Sequence, residues 1–166
     1  MLSAEQIIKH YKMEPLLPEG GYFAVMTRSP LTIGRACLPE SYNSERGFYN
    51  AIMFLITSES FSKLHHLPGD EVYHFYLGDP VEQVQLLANG EVRVLRLGQD
   101  ILNGELLQSV APADCWHGSR LVPGGKFALL GTVMSPAYDE RDYTHGDAQD
   151  LIARYPSFAD MIRNYT

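Results

Sequence analysis

Over most of this chain, apolar residues alternate with polar ones or come in short runs of branched and aromatic side chains. Such runs are typical of β-strands with one or both faces buried. Between residues 20 and 135 about nine of them follow one another, separated by turn residues about every 8–12 positions. Asn89-Gly90, between two alternating runs, is a strong signal for a two-residue hairpin loop. The pattern predicts an all-β sandwich or barrel.

The two ends of the chain show the longer period of helices. Ser3 followed by Gln6 is a capping-box pattern, which predicts a short helix over about residues 3–13. Near the other end, Asp147 is a candidate N-cap for a helical tail over about residues 147–165. No repeat, low-complexity segment or linker divides the sequence. We therefore predict one domain over residues 1–166, with the barrel at about 20–135.

Composition and charge narrow the classes of partner. The formal net charge is −7 and no basic run is present to neutralise phosphates, so nucleic acid is not an expected partner. Cys37 and Cys115 lie far apart and in no C-x-x-C pattern, which is typical of a reducing compartment. The longest apolar run, Ala51–Ile56, is far shorter than the roughly 20 residues that span a bilayer. Since the first residues also lack a signal-peptide pattern, we expect a cytoplasmic protein with no membrane partner.

The stretch Phe61–Gly78 carries the most chemistry. It contains three histidines and an acidic pair in two predicted strands joined by a Pro-Gly turn. Because successive side chains of a strand point to opposite faces, His65 and Glu71 can point into one cavity while His66 and His74 point outward. The outward histidines are expected at the surface or in a dimer contact.

A further histidine, His117, stands at the start of a predicted strand, five residues after Pro112. Strands distant in sequence are neighbours in a jelly roll, so His65, Glu71 and His117 are predicted to meet. Two imidazoles and one carboxylate with open coordination positions suit a divalent ion such as Fe, Mn, Ni or Zn. Without an ion, the same groups would form a polar pocket in which His65 or His117 acts as a general base. A structural or simple binding role is the third interpretation.

These residues carry a resemblance to the cupin superfamily. Its first motif reads G-x5-H-x-H-x3-4-E-x6-G, and its second reads G-x5-P-x-G-x2-H-x3-N. In this chain His65, Glu71 and Gly78 match the first motif, and Pro112 and His117 match the second. The resemblance implies a cupin-type jelly-roll barrel, or double-stranded β-helix, in which the two histidines and the glutamate bind a metal ion.

The chain departs from these motifs at three positions. Leu67 stands where the first motif has its second histidine, so one of the four cupin metal ligands is missing. Asp114 and Leu121 replace the glycine and the asparagine of the second motif. The change at Leu67 bears on metal binding and leaves the predicted fold unchanged.

More narrowly, the chain resembles a small uncharacterised cupin family along nearly its whole length. The segments that carry the likeness are His65, Pro18–Tyr22, Asp70–Gly78, Val110–Trp116, Ser135–Asp139 and Ala153–Pro156. This resemblance implies a homodimer. It implies no established activity, because a fold does not fix a function.

Four more residues are candidates for the pocket. Tyr73 shares the predicted inward face with Glu71 and is similar to the proton-donating tyrosine of cupin sugar epimerases, or it packs in the core. Three residues are candidates for binding a ligand. Gln85 offers a strand amide or faces solvent, and Trp116 forms a stacking wall or fills the core. Tyr138 belongs to a lid or to a capping loop.

We predict a protein that binds a small metabolite inside its barrel. The first hypothesis is isomerisation or epimerisation of a small carbohydrate-like or carbonyl compound, using a metal or a histidine base. Its catalytic residues are predicted to be His65, Glu71, His117 and Tyr73. The alternative is a non-catalytic small-molecule-binding or structural cupin without metal.

Overall fold

The computed structural model of the protein describes residues 2–166, which form two facing β-sheets with short helices at the ends. The helices are α1 (Ala4–Tyr11), α2 (Ala148–Arg154) and α3 (Ala159–Tyr165). The strands are β1 (Glu14–Pro15), β2 (Tyr22–Arg28), β3 (Thr32–Ile33), β4 (Arg46–Gly47), β5 (Asn50–Thr57), β6 (Ser62–His66), β7 (Glu71–Gly78), β8 (Val81–Leu86), β9 (Val92–Leu97), β10 (Gln108–Ala111), β11 (Trp116–Leu121), β12 (Phe127–Met134) and β13 (Thr144–His145). Single 3-10 turns lie at Arg35–Cys37, Ile101–Asn103, Glu140–Asp142 and Pro156–Phe158.

The strand order is that of a jelly roll. One sheet has the order β1-β2-β5-β12-β7-β10, the facing sheet has the order β13-β6-β11-β8-β9, and β3 pairs with β4 separately. Neighbours are antiparallel, and most are not consecutive in the chain: β12 lies between β5 and β7, and β11 lies between β6 and β8. The predicted all-β jelly-roll class is confirmed.

The space between the two sheets holds the main apolar core. Phe54 and Ile56 of β5, Phe75 of β7 and Leu130 of β12 are buried there. Strand β5 is apolar on its other face as well, because α1 covers the outside of the six-stranded sheet with Ile7. This double covering accounts for the continuous apolar run of that strand.

The five-stranded sheet turns buried polar side chains inward. Its inner face carries His65, Gln83, Gln85, His117 and Ser119. Its outer face is apolar, and the two C-terminal helices cover it with Leu151, Tyr155, Ile162 and Tyr165. The C-terminal helices therefore bury apolar side chains on the outer face of strands whose inner face is largely polar in this region.

Both predicted helical ends form, with shorter bounds. Ser3 and Gln6 exchange the reciprocal hydrogen bonds of a capping box, and α1 ends where Lys12 turns left-handed at φ 52. The Asp147 side chain caps α2 as predicted. The helical tail consists of two helices, because Pro156 has no N–H to continue the hydrogen-bond ladder of α2. None of the helices in residues 2–166 is long and apolar enough to cross a membrane.

The predicted hairpin between β8 and β9 forms, but its loop has one more residue than expected. Leu87 N donates to Glu91 O at 2.9 Å, and Gly90 N donates to Leu87 O at 2.9 Å, which leaves Ala88, Asn89 and Gly90 in the loop. Gly90 has φ 88, the left-handed conformation that closes a three-residue hairpin loop.

Packing of the tail on the five-stranded sheet should contribute a large share of the stability. Ile162 is fully buried against that sheet, so Ile162→Ala should lower the free energy of unfolding by about 2–5 kcal/mol through lost burial and the cavity left behind. The midpoint of urea denaturation measures the change. The exposed Asn164→Ala in the same helix is the control. Equal midpoints for the two variants would contradict this role of the tail.

Candidate functional site

Three buried side chains from three strands converge inside the barrel. His65 comes from β6, His117 from the neighbouring β11 and Glu71 from the start of β7 in the facing sheet. His65 and His117 are direct partners in the register of their strands, and their rings lie 4.2 Å apart. One donor atom from each of the three residues lies within 4.8 Å of the other two. The convergence expected from strand alternation and jelly-roll topology is therefore present.

Each imidazole is oriented by the backbone two residues before it. His65 Nδ1 lies 2.8 Å from Lys63 O, and His117 Nδ1 lies 3.4 Å from Cys115 O. Both Nε2 atoms therefore face Glu71: His117 Nε2 is 3.1 Å from Glu71 Oε2, and His65 Nε2 is 3.9 Å from the same oxygen. In the tautomer that carries its single proton on Nδ1, facing the carbonyl, such a ring presents Nε2 with a free lone pair, as metal-binding histidines do.

Glu71 is the charged centre of this cluster. Its Oε2 accepts a hydrogen bond from the Tyr73 hydroxyl at 2.9 Å and lies within reach of His117. Burial favours the neutral acid, but the contacts with His117 and His65 outweigh it and lower the pKa of Glu71 well below its usual range. The carboxylate is therefore ionised. Burial raises the pKa of the Tyr73 hydroxyl well above its usual value, so it remains a hydrogen-bond donor.

The two histidines differ in charge when no metal ion is present. Burial disfavours the imidazolium of His65, but Glu19 and Glu71 outweigh it and raise its pKa to about 9. Burial and the charge on His65 lower the pKa of His117. At neutral pH the metal-free cluster therefore contains one imidazolium, one neutral imidazole and at least one carboxylate.

Glu19 belongs to the same cluster, although sequence analysis did not select it as a site residue. Its Oε1 accepts a hydrogen bond from Ser62 Oγ at 2.7 Å, and its Oε2 lies 3.9 Å from His65 Nε2. Gly20 follows it at φ 108, and a Cβ there would collide with the carbonyl of Phe61. A close turn next to β6 thus carries the carboxylate inward. The available signal was the Pro18–Tyr22 segment, which was interpreted only as a family likeness.

A cavity of about 790 Å³ reaches this cluster at its two carboxyl groups, while His65 and His117 do not line it. Glu19 and Glu71 line it together with an apolar wall made by Phe23, Ile52, Phe54, Leu67 and Met134. Polar side chains including Arg28, Asn50, Tyr138 and Arg141 also line it. This volume and this mixture of an apolar wall with a few polar groups are typical of a site for a small metabolite.

Of the other predicted ligand-binding residues, one lines the cavity and two do not. Tyr138 lines it. Gln85 is buried beside the cluster as the strand partner of His117, and its amide donates to Gln83 Oε1 at 3.0 Å and to Val110 O at 2.8 Å. Trp116 packs on the outer face of β11 with the helical tail, and its ring lies 5.3 Å from that of His66. Because neighbours along a strand face opposite sides, an inward His117 requires an outward Trp116.

Leu67 supplies no metal ligand at the position where the first cupin motif has its second histidine. It is buried and lines the cavity on the same side of the chain as His65. His66 does not fill the gap, because its Nε2 is turned toward Asp114 and lies 3.4 Å from Oδ1. His74 also faces outward, with its ring 6.4 Å from that of Tyr76. Both of these histidines have the outward orientation that the alternation predicts.

Cys115 contacts the cluster without being a suitable nucleophile. Its sulfur lies 3.8 Å from His117 Nδ1. Burial, with a smaller effect of Glu71, raises the pKa of this thiol to about 12, so it stays protonated at neutral pH.

The donor set fits a divalent metal ion. The cluster supplies two imidazole nitrogens and a carboxylate oxygen within 4.8 Å. His65 Nε2 is buried and has no hydrogen-bond partner among the described residues, which is otherwise unfavourable for a buried polar atom. A cation between the three groups would satisfy this nitrogen and balance the buried carboxylate.

Comparison with known proteins agrees with the fold. A structure of a hypothetical protein from Leishmania major has 29% identity to this chain and a TM-score of 0.90, over 99% of both chains. The protein SO0799 from Shewanella oneidensis has 27% identity and a TM-score of 0.87, over 100% of this chain and 98% of that one. The uncharacterized protein YML079W of Saccharomyces cerevisiae is 29% identical over 153 residues, which are 87% of this chain and 73% of the yeast protein.

The family model described as Cupin superfamily (DUF985) matches residues 5–146. This match includes every strand of both sheets and each residue of the cluster. The protein therefore belongs to this family of the cupin superfamily.

Proposed function

We propose that this protein binds a divalent metal ion through His65, Glu71 and His117 and isomerises or epimerises a small hydroxy-carbonyl metabolite in the adjoining cavity. The observation that supports this most directly is the paired orientation of the two histidines. Each Nδ1 faces a backbone carbonyl two residues earlier, and each Nε2 faces Glu71. This arrangement is what a metal site requires of its imidazoles.

When bound, such an ion supplies Lewis acidity, which makes a proton next to a ligand carbonyl easier to remove. The protein's own groups would orient the ligand. Tyr73 holds Glu71 through its hydroxyl at 2.9 Å, which makes it a positioning residue. Tyr138 lines the cavity, and burial raises its pKa to about 12, so its hydroxyl is a neutral donor for a ligand oxygen. The apolar wall at Phe23, Ile52 and Leu67 would exclude water from one side of the ligand.

A histidine base acting without metal has less support. With a pKa of about 9, His65 carries a proton at neutral pH and cannot accept another. His117 directs Nε2 at Glu71, 3.1 Å away, so in the metal-free protein the tautomer that is protonated at Nε2 donates to the carboxylate and leaves no free lone pair on that nitrogen. Both nitrogens become ligands only when their protons leave, which a dication favours.

Metal content tests the site first. Protein purified without a tag or chelator should contain close to one divalent ion per chain by plasma mass spectrometry, because the ligands are buried and converge. The double variant His65→Ala/His117→Ala should lose it. The matched control is His66→Ala/His74→Ala, which removes two outward histidines and should keep the ion. No metal in the well-folded wild-type protein would reject the metal site and leave non-catalytic binding as the better interpretation.

The metal-free protein should become less stable as the pH rises from about 6.5 to 9. An unfolded histidine has a pKa of about 6.5, and the folded His65 has a pKa of about 9. Its contribution is therefore complete below pH 6.5 and is lost as the pH rises through 9, with an upper limit on the order of 3 kcal/mol. Urea unfolding with chelator present measures this loss. His65→Gln should show a much smaller decrease over the same range, and parallel curves for the two proteins would contradict the assignment.

A further inference from the structure

We propose that Glu19 is a fourth protein ligand of the metal site and supplies the coordination that Leu67 cannot. This inference rests on the metal site proposed above. Glu19 lies in the turn before β2. In this proposal it takes the coordination position that a histidine at residue 67 would otherwise fill.

The position of Glu19 carries the proposal. Its Oε1 is held by Ser62 Oγ at 2.7 Å, while Oε2 is directed at His65 Nε2, 3.9 Å away. Glu71 Oε2 lies at the same distance, 3.9 Å, from that nitrogen. For metal–ligand bonds of about 2.1 Å, neighbouring ligand atoms lie roughly 3.0–3.4 Å apart, so small movements bring both carboxylates into a shared site.

Burial and charge support the same assignment. The Glu19 side chain is only 12% exposed, and it lines the same cavity as Glu71 and Leu67. A buried dication with one carboxylate would keep an excess positive charge, whereas two carboxylates neutralise it. Glu19 lies outside the group whose donor atoms are all within 4.8 Å. Burial, with a smaller effect of Glu71, raises the pKa of Glu19, and a dication between the two carboxyl groups would favour the ionised form of both.

Metal affinity of a charge-matched pair of variants tests the proposal. Glu19→Gln keeps the size of the side chain and an acceptor for Ser62, and it should weaken Zn²⁺ or Mn²⁺ binding by roughly 10- to 100-fold or more in competition with a chromophoric chelator. Glu14→Gln removes the same charge from an exposed residue lining the same cavity and should change the affinity far less. Equal affinities for the two variants would overturn the proposal.

The visible spectrum of the Co²⁺-loaded protein distinguishes coordination from long-range attraction. Glu19→Gln should change the ligand-field bands, while Glu14→Gln should leave them as in the wild type. If the wild-type protein binds one ion and Glu19→Gln keeps both the spectrum and the affinity, only the role of Glu19 is rejected. If the wild type binds no ion, the metal site of the proposed function is rejected as well.

A restored histidine ligand provides an independent test. Leu67 lines the cavity, so Leu67→His in the Glu19→Gln background should regain most of the lost affinity by supplying a nitrogen ligand at the motif position. A folded double variant that binds metal no better than Glu19→Gln would overturn the assignment of Glu19 to the coordination position of residue 67. Circular dichroism and denaturation establish that the variants are folded.

Discussion

The structure depends on one electrostatic constraint, which is an ionised carboxylate buried between two β-sheets. Glu71 is kept charged by His117, His65 and the Tyr73 hydroxyl. A buried charge without such partners would cost several kcal/mol, so the surrounding strands must present polar groups at fixed positions. The register that pairs His65 with His117 meets this requirement, since a slip of either strand by one residue would turn the ring on that strand to the opposite face.

Strand alternation was sufficient to predict much of this arrangement. The inward set Glu71, Tyr73 and Phe75 follows from a period of two, and all three side chains are buried. The same rule should have excluded Trp116 from the pocket, because it adjoins the inward His117. The prediction that Trp116 forms a pocket wall relied on its aromatic side chain and did not apply the strand alternation to its position.

The contribution of Glu19 was beyond local pattern analysis. It reaches His65 across 46 positions of sequence only because a tight turn at Gly20 presses against the chain at Phe61. The alternation of apolar and polar residues around this turn does not predict which distant segment the turn will contact. Similarly, the two-helix tail was partly predictable from Asp147, but the break at Pro156 depends on how the last residues pack against the sheet.

The inward polar face of the five-stranded sheet has a consequence for how this barrel can change over evolutionary time. Here the inner face can carry several polar side chains because the same strands also have an apolar packing layer on their outer side, under the C-terminal helices. The candidate chemistry and this part of the hydrophobic packing thus occupy opposite faces of the same strands. Inner residues can be exchanged for a new ligand or substrate without emptying the packing layer beneath the helices, which leaves the scaffold tolerant of new activities.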